Sequence, residues 1–249
     1  MIDEQLLRYS RQIMLPDMDI AGQQKLVDAN VLIVGMGGLG CPVGMYLAAA
    51  GVGHLILADD DTVEITNLQR QIAHSQADIG SSKVESVAET LKGLNPKVRI
   101  TAMNQRLEEK DLDNQMSTVD VVVDASDNFT TRFAINRACS KTKTPLVSGA
   151  AIRMEGQVTV FDPRDAQSPC YQCLYKEGDD ESASCSENGV LAPIVGIIGS
   201  VQALETIKVI TGIGKPLTGR LLLLDGKTMQ WREMKLPRDE NCPVCSFSK

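Results

Sequence analysis

Histidine is scarce in this 249-residue chain, which has two, and aromatic residues make up only 4% of it. Few aromatics leave few platforms on which the bases of a single-stranded nucleic acid could stack. Excess positive charge is missing as well. A formal net charge of −7 disfavours a phosphate backbone as partner, so no nucleic-acid partner is expected. The N-terminus has no apolar stretch of the secretory kind, because Met1–Arg11 is a charged helical pattern. The most apolar region, Val190–Ile210, is interrupted by Pro193, Gln202, Glu205 and Lys208. It reads as a buried helix rather than a membrane span, which needs about 20 predominantly apolar residues. A cytoplasmic location without membrane attachment is expected. With 43% hydrophobic and 23% charged residues, the composition is that of a packed globular chain.

His54 and His74 have no sequence partner suggesting acid–base work, so a Ser-His or Cys-His hydrolase is unsupported. The seven cysteines are odd in number and, without a secretory signal, do not resemble a disulfide framework.

What the chain does have is alternation. Short β-rich runs at Val31–Val34, His54–Ala58, Val98–Met103, Val119–Asp124 and Leu146–Ser148 alternate with helical spacing at about 39–50, 83–94 and 131–141. This is the pattern of βαβ units around a parallel sheet. After Ala150, the runs Gln157–Phe161, Arg220–Leu224 and Met229–Met234 read as antiparallel strands added to that sheet. Lys176–Asn188 is polar and acidic, and reads as a mobile loop before a long apolar helix. The expectation is one α/β domain over residues 1–249, a Rossmann-like mixed sheet. Its parts are N-terminal helices in 1–30, the βαβ core in 31–150 and the part with the added antiparallel strands in 151–249.

Gly35-Met-Gly-Gly38-Leu-Gly40 lies between a predicted strand and a predicted helix. Glycines there allow a tight turn and let backbone N–H groups approach phosphate oxygens. The next strand ends in Asp59-Asp60-Asp61, and an acid at Asp59 can take ribose hydroxyls. Asp60 and Asp61 read as solvated loop charges. The glycine motif alone does not separate NAD from ATP. Asn67-Leu68-Gln69-Arg70-Gln71 and Lys83 lean towards ATP, because a triphosphate recruits Arg and Lys. Taken singly, Arg70 and Lys83 read equally well as helix-surface charge. The run Val121-Val-Val-Asp124-Ala-Ser-Asp127-Asn128 ends an apolar strand in polar groups facing the expected crevice. Asp127 suits Mg²⁺, which prefers hard oxygen donors, while Asp127 or Asn128 also suits a helix N-cap.

Cys170-x-x-Cys173 and Cys242-x-x-Cys245 supply the four thiolates of a closed zinc site that would clip the C-terminal tail onto the body. A thioredoxin-like role is disfavoured, since neither pair opens a helix after a strand. Cys185 stands alone in the polar loop, as a nucleophile, a sulfur acceptor or an incidental thiol. Cys41 and Cys139 fall in helical patterns and read as packing residues.

Together, and with Arg8-Tyr-Ser-Arg11-Gln at the start, these motifs resemble the MoeB/ThiF family of ubiquitin-activating-like adenylyltransferases across essentially the whole chain. The run Ser148–Gln157 resembles the branch serving molybdopterin (a MoaD-like carrier) more than the branch serving thiamin (a ThiS-like carrier). The resemblance implies a homodimer with ATP and Mg²⁺ in each subunit. It places Gly38 on the phosphates, Asp59 on the ribose, Asn67, Arg70 and Lys83 around the triphosphate, and Asp127 on magnesium. Arg11 would reach the partner's ATP, and Leu68, Gln69 and Asn128 fall within the matching nucleotide-binding motifs. The substrate implied is a ubiquitin-like sulfur carrier whose C-terminal Gly-Gly tail passes under the loop containing Cys185. No rhodanese-like domain is expected, so sulfur would come from a separate donor protein. An NAD-dependent oxidoreductase and a non-catalytic carrier-binding module are the remaining alternatives.

Overall fold

The computed structural model describes residues 2–177 and 189–246. Eight strands form one sheet in the order β3-β2-β1-β4-β5-β6-β7-β8. The first five, β1 (Asn30–Val34), β2 (His54–Ala58), β3 (Arg99–Met103), β4 (Val121–Asp124) and β5 (Leu146–Ile152), run parallel. The last three, β6 (Glu155–Phe161), β7 (Arg220–Asp225) and β8 (Gln230–Lys235), are antiparallel additions.

β1 and β4 are apolar along almost their whole length because both faces are covered, as in other parallel sheets. The alternation of side chains sorts them into two cores. Val31, Ile33, Val121, Val123 and Val147 pack under α4 (Gly40–Ala50), α5 (Lys83–Leu94) and the long helix Ala192–Thr211. Leu32, Val34, Ile56 and Val122 pack under α6 (Glu109–Met116) and α7 (Phe129–Thr142). Three helices, α1 (Asp3–Arg8), α2 (Ser10–Ile13) and α3 (Asp19–Asp28), precede the sheet.

The long helix is the one described helix with the length and apolar character to cross a membrane, and half of its apolar window is buried inside the protein. Its polar residues have internal partners. Gln202 Nε2 donates to the Asp124 carbonyl at 2.7 Å, and Glu205 pairs with Lys208 and accepts the Leu217 N–H at 2.7 Å. The helix is a core element, as its interruptions suggest.

The predicted elements differ from the observed ones mainly at their ends. β5 continues four residues beyond Ser148, because the antiparallel partner β6 extends the ladder to Ile152↔Glu155. α6 has no counterpart in the sequence reading. It is polar, and only Leu112 and Met116 are buried, too sparse a stripe to stand out.

Candidate active site

Strand order reverses between β1 and β4, and ligands of open α/β sheets gather outside the carboxyl ends of strands at such a point. A cavity of about 520 Å³ lies there. Its walls are Gly35, Gly37 and Gly38 after β1, Asp59–Asp61 after β2, Gln105–Leu107 beyond β3 and Ala125–Asn128 after β4.

The glycine turn is built for close approach. Gly35 has φ +94°, and a side chain there would lie 2.7 Å from the Ala125 carbonyl oxygen. A Cβ on Gly40 would lie 1.9 Å from the Gly35 carbonyl oxygen, so only glycine lets α4 begin this close to β1. Met36, inside the turn, is held on both sides. Its N–H donates to Asp59 Oδ2 at 2.6 Å, and its carbonyl lies 3.3 Å from His74 Nε2. His74 Nδ1 lies 2.8 Å from Ser86 Oγ, so a neutral ring with the proton on Nε2 satisfies both contacts. Burial pushes the His74 pKa below the usual imidazole value, which favours that neutral form. Burial also raises the Asp59 carboxyl, opposed by nearby Lys83 and by the Met36 N–H.

Lys83 opens α5 and is buried, with its ammonium 2.6 Å from Asp61 Oδ2 at the cavity wall. It is therefore not helix-surface charge, and Asp61 is more than a solvated loop residue. Asn67 Oδ1 accepts the Glu64 N–H at 3.1 Å, and Arg70 donates to the Thr66 carbonyl at 3.0 Å. Asn128 caps α7 by accepting the Thr131 N–H at 2.9 Å and also lines the cavity. Asp127 is exposed on the cavity wall, touched by the Asn128 amide at 3.4 Å. Asp124 departs from the expectation. It is 1% exposed, accepts from Ser126 N, Ser126 Oγ and Ser148 Oγ, and lies 3.9 Å from Arg132 Nε, so it faces the interior instead of the crevice.

A second cavity, also about 520 Å³, adjoins the first and shares Asp127, Arg132 and Ala151 with it. It extends over β5–β8, where Gln157, Leu223 and Arg232 line it.

The two cysteine pairs meet. Their four sulfurs all lie within 4.8 Å of one another, with Cys170–Cys242 and Cys173–Cys245 both at 3.5 Å. A tetrahedral zinc with Zn–S of about 2.3 Å needs sulfur–sulfur edges of about 3.8 Å, so the donor set fits zinc in number, type and spacing. The cluster lies outside the linings of both cavities. The thiol–thiol hydrogen bond raises Cys170 and lowers Cys173 to about 5. Backbone N–H groups of Cys170 and Asp239, each 3.4 Å from the Cys173 sulfur, also favour its thiolate. Cys170 caps a single helical turn, Tyr171–Leu174, separated from β6 by irregular chain. Cys41 and Cys139 are buried in α4 and α7, and burial pushes the Cys41 thiol up to about 12.

A ThiF family model matches residues 9–244. The chain belongs to the ThiF family. It is 49% identical to the molybdopterin-synthase adenylyltransferase of Escherichia coli, over 98% of this chain and 97% of that protein. It is 46% identical to the sulfur carrier protein ThiS adenylyltransferase of Escherichia coli, over 100% of this chain and 98% of that one. Among solved structures, Escherichia coli MccB with ATP superposes with a TM-score of 0.83 at 25% identity, covering 96% of this chain and 73% of that one.

In this ThiF-family chain the cavity brings together Gly38, Asp59, Asn67, Gln69, Arg70, Lys83, Asp127 and Asn128. Leu68 does not line it. Arg11 is exposed on α2 and is also absent from its own chain's cavity. Cys185 lies outside the described residues. Sequence reading missed Gln71, His74, Gln105–Leu107 and Arg132. The rule that ligands meet strand carboxyl ends would have included 105–107, which follow β3. Gln71 closes the motif already singled out, of which only the first four residues are expected site residues, and His74 is one of only two histidines.

Proposed function

We propose that this protein uses ATP to adenylate the C-terminal carboxylate of a ubiquitin-like sulfur-carrier protein ending in Gly-Gly, as a single adenylation unit acting in the cytoplasm. The observation that carries this reading is the cavity at the β1/β4 switch point. There the glycine turn, Asp59, Arg70, Lys83 and Asp127 converge in a chain nearly half identical to adenylyltransferases over its full length. The molybdopterin-type carrier is the main reading because the molybdopterin-synthase enzyme is the more similar of the two relatives. A ThiS-type carrier is the second, supported by 46% identity over the whole chain.

Asp59 takes the ribose hydroxyls while its other lone pairs hold Met36 and the glycine turn in place. The glycine turn and Gly38 receive the phosphates. Lys83 leaves Asp61 for the triphosphate, and Arg70 leaves the Thr66 carbonyl, each exchanging a local partner for a more highly charged one. Asn67, Gln69 and Asn128 complete the wall. Asp127 is the residue that would hold Mg²⁺: its carboxylate is exposed on the wall and has only one weak contact with a neighbouring side chain. Bound there, the ion supplies charge neutralisation of the phosphates.

The carrier tail enters along the second cavity, whose boundary with the first is marked by Asp127 and Arg132. One carboxylate oxygen bonds to the α-phosphorus, the bond from that phosphorus to the bridging oxygen breaks, and pyrophosphate leaves. A carboxylate is already ionised at neutral pH, so no general base is needed. The rate enhancement comes from in-line positioning and charge neutralisation. The acyl-adenylate is then open to a separate sulfur-donor protein, with AMP as leaving group.

The protein acts as a homodimer in this reading. Leu7, Met14 and Leu15, near Arg11 in the N-terminal sequence, are 78%, 72% and 56% exposed, apolar surface that a second copy would cover. Zinc at the four cysteines is structural. The test is exchange of labelled pyrophosphate into ATP, which is expected only when a carrier with an intact Gly-Gly terminus is present. Exchange without any carrier, or none with either carrier type, contradicts the reading.

A further inference from the structure

The four-cysteine cluster lies outside both cavities, yet the chain that carries it leads directly into the second one. Tyr175 follows Cys173 by two residues, is half-buried and lines that cavity. Cys242 and Cys245 lie on the segment that follows β8, whose Gln230 and Arg232 line the same cavity. Joining the two cysteine pairs therefore ties together two stretches of wall that are far apart in sequence.

Tyr175 is held by contacts that lead back to the cysteines. Its N–H donates to the Tyr171 carbonyl at 3.1 Å, and the two rings lie 5.1 Å apart. Tyr171, between Cys170 and Cys173, is 1% exposed, with Phe133 and Phe161 edge-on to its ring at 5.4 and 6.0 Å. Its N–H donates to Asn136 Oδ1 at 2.9 Å, and Asn136 Nδ2 reaches the Cys170 sulfur at 3.7 Å. At the cavity end, Gln157 Nε2 donates to the Tyr175 hydroxyl at 2.7 Å, and that hydroxyl lies 3.0 Å from Gln157 Oε1. The turn Tyr171–Leu174 has four residues, too few to hold a helical shape by its own hydrogen bonds. Its fixed points are this packing and the meeting of Cys170 and Cys173 with Cys242 and Cys245.

A Gly-Gly terminus offers no side chains to seat in pockets, and glycine loses more freedom on ordering than any other residue. Such a ligand gains from a wall that is already rigid, because ordering the wall would add to the cost of binding. A tyrosine ring supplies a large contact with few torsions to fix. We propose that the metal-binding cluster sets the affinity for the carrier tail by holding Tyr175 in the wall of the second cavity. Metal and carrier binding are then coupled, and Tyr175 is the positioned residue that couples them. This inference rests on the reading that the tail enters along the second cavity. Neither Tyr171 nor Tyr175 lines the nucleotide cavity, so ATP is outside the coupling.

The test is a double-mutant cycle on Tyr175→Ala, Cys242→Ser and the double variant. It is read by equilibrium binding of a molybdopterin-type carrier ending in Gly-Gly and of ATP, with zinc content alongside. Tyr175→Ala is expected to keep its zinc and to weaken the carrier about tenfold, as for truncation of an aromatic contact at an interface. Cys242→Ser is expected to lose zinc and to weaken the carrier by a similar factor. Because one acts through the other, the double variant should remain about tenfold weaker than wild type, whereas independent effects would multiply to about a hundredfold. ATP affinity is expected to be unchanged in all three. Multiplied effects overturn the proposal, as does wild-type carrier affinity in either single variant or equal weakening of carrier and ATP. Where Cys242→Ser does not stay folded, Tyr171→Leu, which keeps the four sulfurs, takes its place in the cycle with the same outcomes. A zinc-loaded wild type that binds ATP but no Gly-Gly carrier ends the carrier reading as well as this inference. Carrier-dependent exchange with Tyr175→Ala binding the carrier normally ends this inference alone.

Discussion

Asp124 and Asp127 leave the same strand end three residues apart. One is enclosed by Ser126, Ser148 and Arg132, while the other faces the cavity. The sequence around them does not distinguish the two, since both follow the run Val121–Val123. What separates them is the ladder: Asp124 is still within β4, opposite Val34 and Ser148, whereas Asp127 lies beyond it. Asp127→Ala is expected to abolish carrier-dependent pyrophosphate exchange while changing stability by no more than about 0.5 kcal/mol, as for other substitutions at exposed positions. Asp124→Ala leaves buried Arg132 without its carboxylate and is expected to cost about 3 kcal/mol in urea unfolding. The reverse pattern would exchange their roles. His74 gives a pH dependence. Its folded pKa is depressed by burial, so as pH falls the unfolded chain takes the proton first. Stability contributed by the neutral ring is present above about pH 6.5 and declines as pH falls below that value towards the folded pKa. The loss in thermal midpoint between pH 7.5 and 5.5 should be smaller in His74→Gln, and equal losses in both proteins would remove His74 as the cause.

At the scale of elements, β2 and α5 were legible to the residue because their ends carry chemistry: an acidic run stops one, and Asn95-Pro96 follows the other. The glycine turn was legible because its spacing serves both phosphate approach and helix–strand packing. α6 was not, since two buried side chains do not make a visible stripe. Nor was the bond of Lys83 to Asp61, which depends on where the loop between β2 and α5 returns. The cysteine pairs were legible as a candidate donor set, but only the fold shows their sulfurs within 4.8 Å of one another. The purified protein is expected to contain about one zinc per chain by metal analysis. Cys242→Ser should lose the metal and lower the thermal midpoint by roughly 5–10 °C, with ATP affinity unchanged because the cluster lies outside the cavities. A metal-free wild type with four titratable thiols would contradict the zinc assignment.

At the scale of the whole molecule, Arg11 is the residue that a single chain does not explain. It is exposed, apart from its own cavity, and close in sequence to exposed Leu7, Met14 and Leu15. If it acts on the partner's nucleotide, mixing inactive Arg11→Ala with inactive Asp127→Ala subunits gives heterodimers with one site carrying both defects and one carrying neither. Random exchange makes about half the dimers mixed, so activity should recover to roughly a quarter of wild type, a consequence of two-fold symmetry. No recovery despite proven exchange would place Arg11 in its own subunit's site or make it structural. The proposed reaction is defined by its covalent product. Intact-mass measurement of a Gly-Gly-terminated carrier, incubated with this protein, ATP and Mg²⁺, tests it most directly. A carrier heavier by one adenylyl group is expected, with the change absent when the terminal glycine is removed or when Asp127→Ala replaces the wild type. An unmodified carrier in the presence of folded, ATP-bound protein would contradict it.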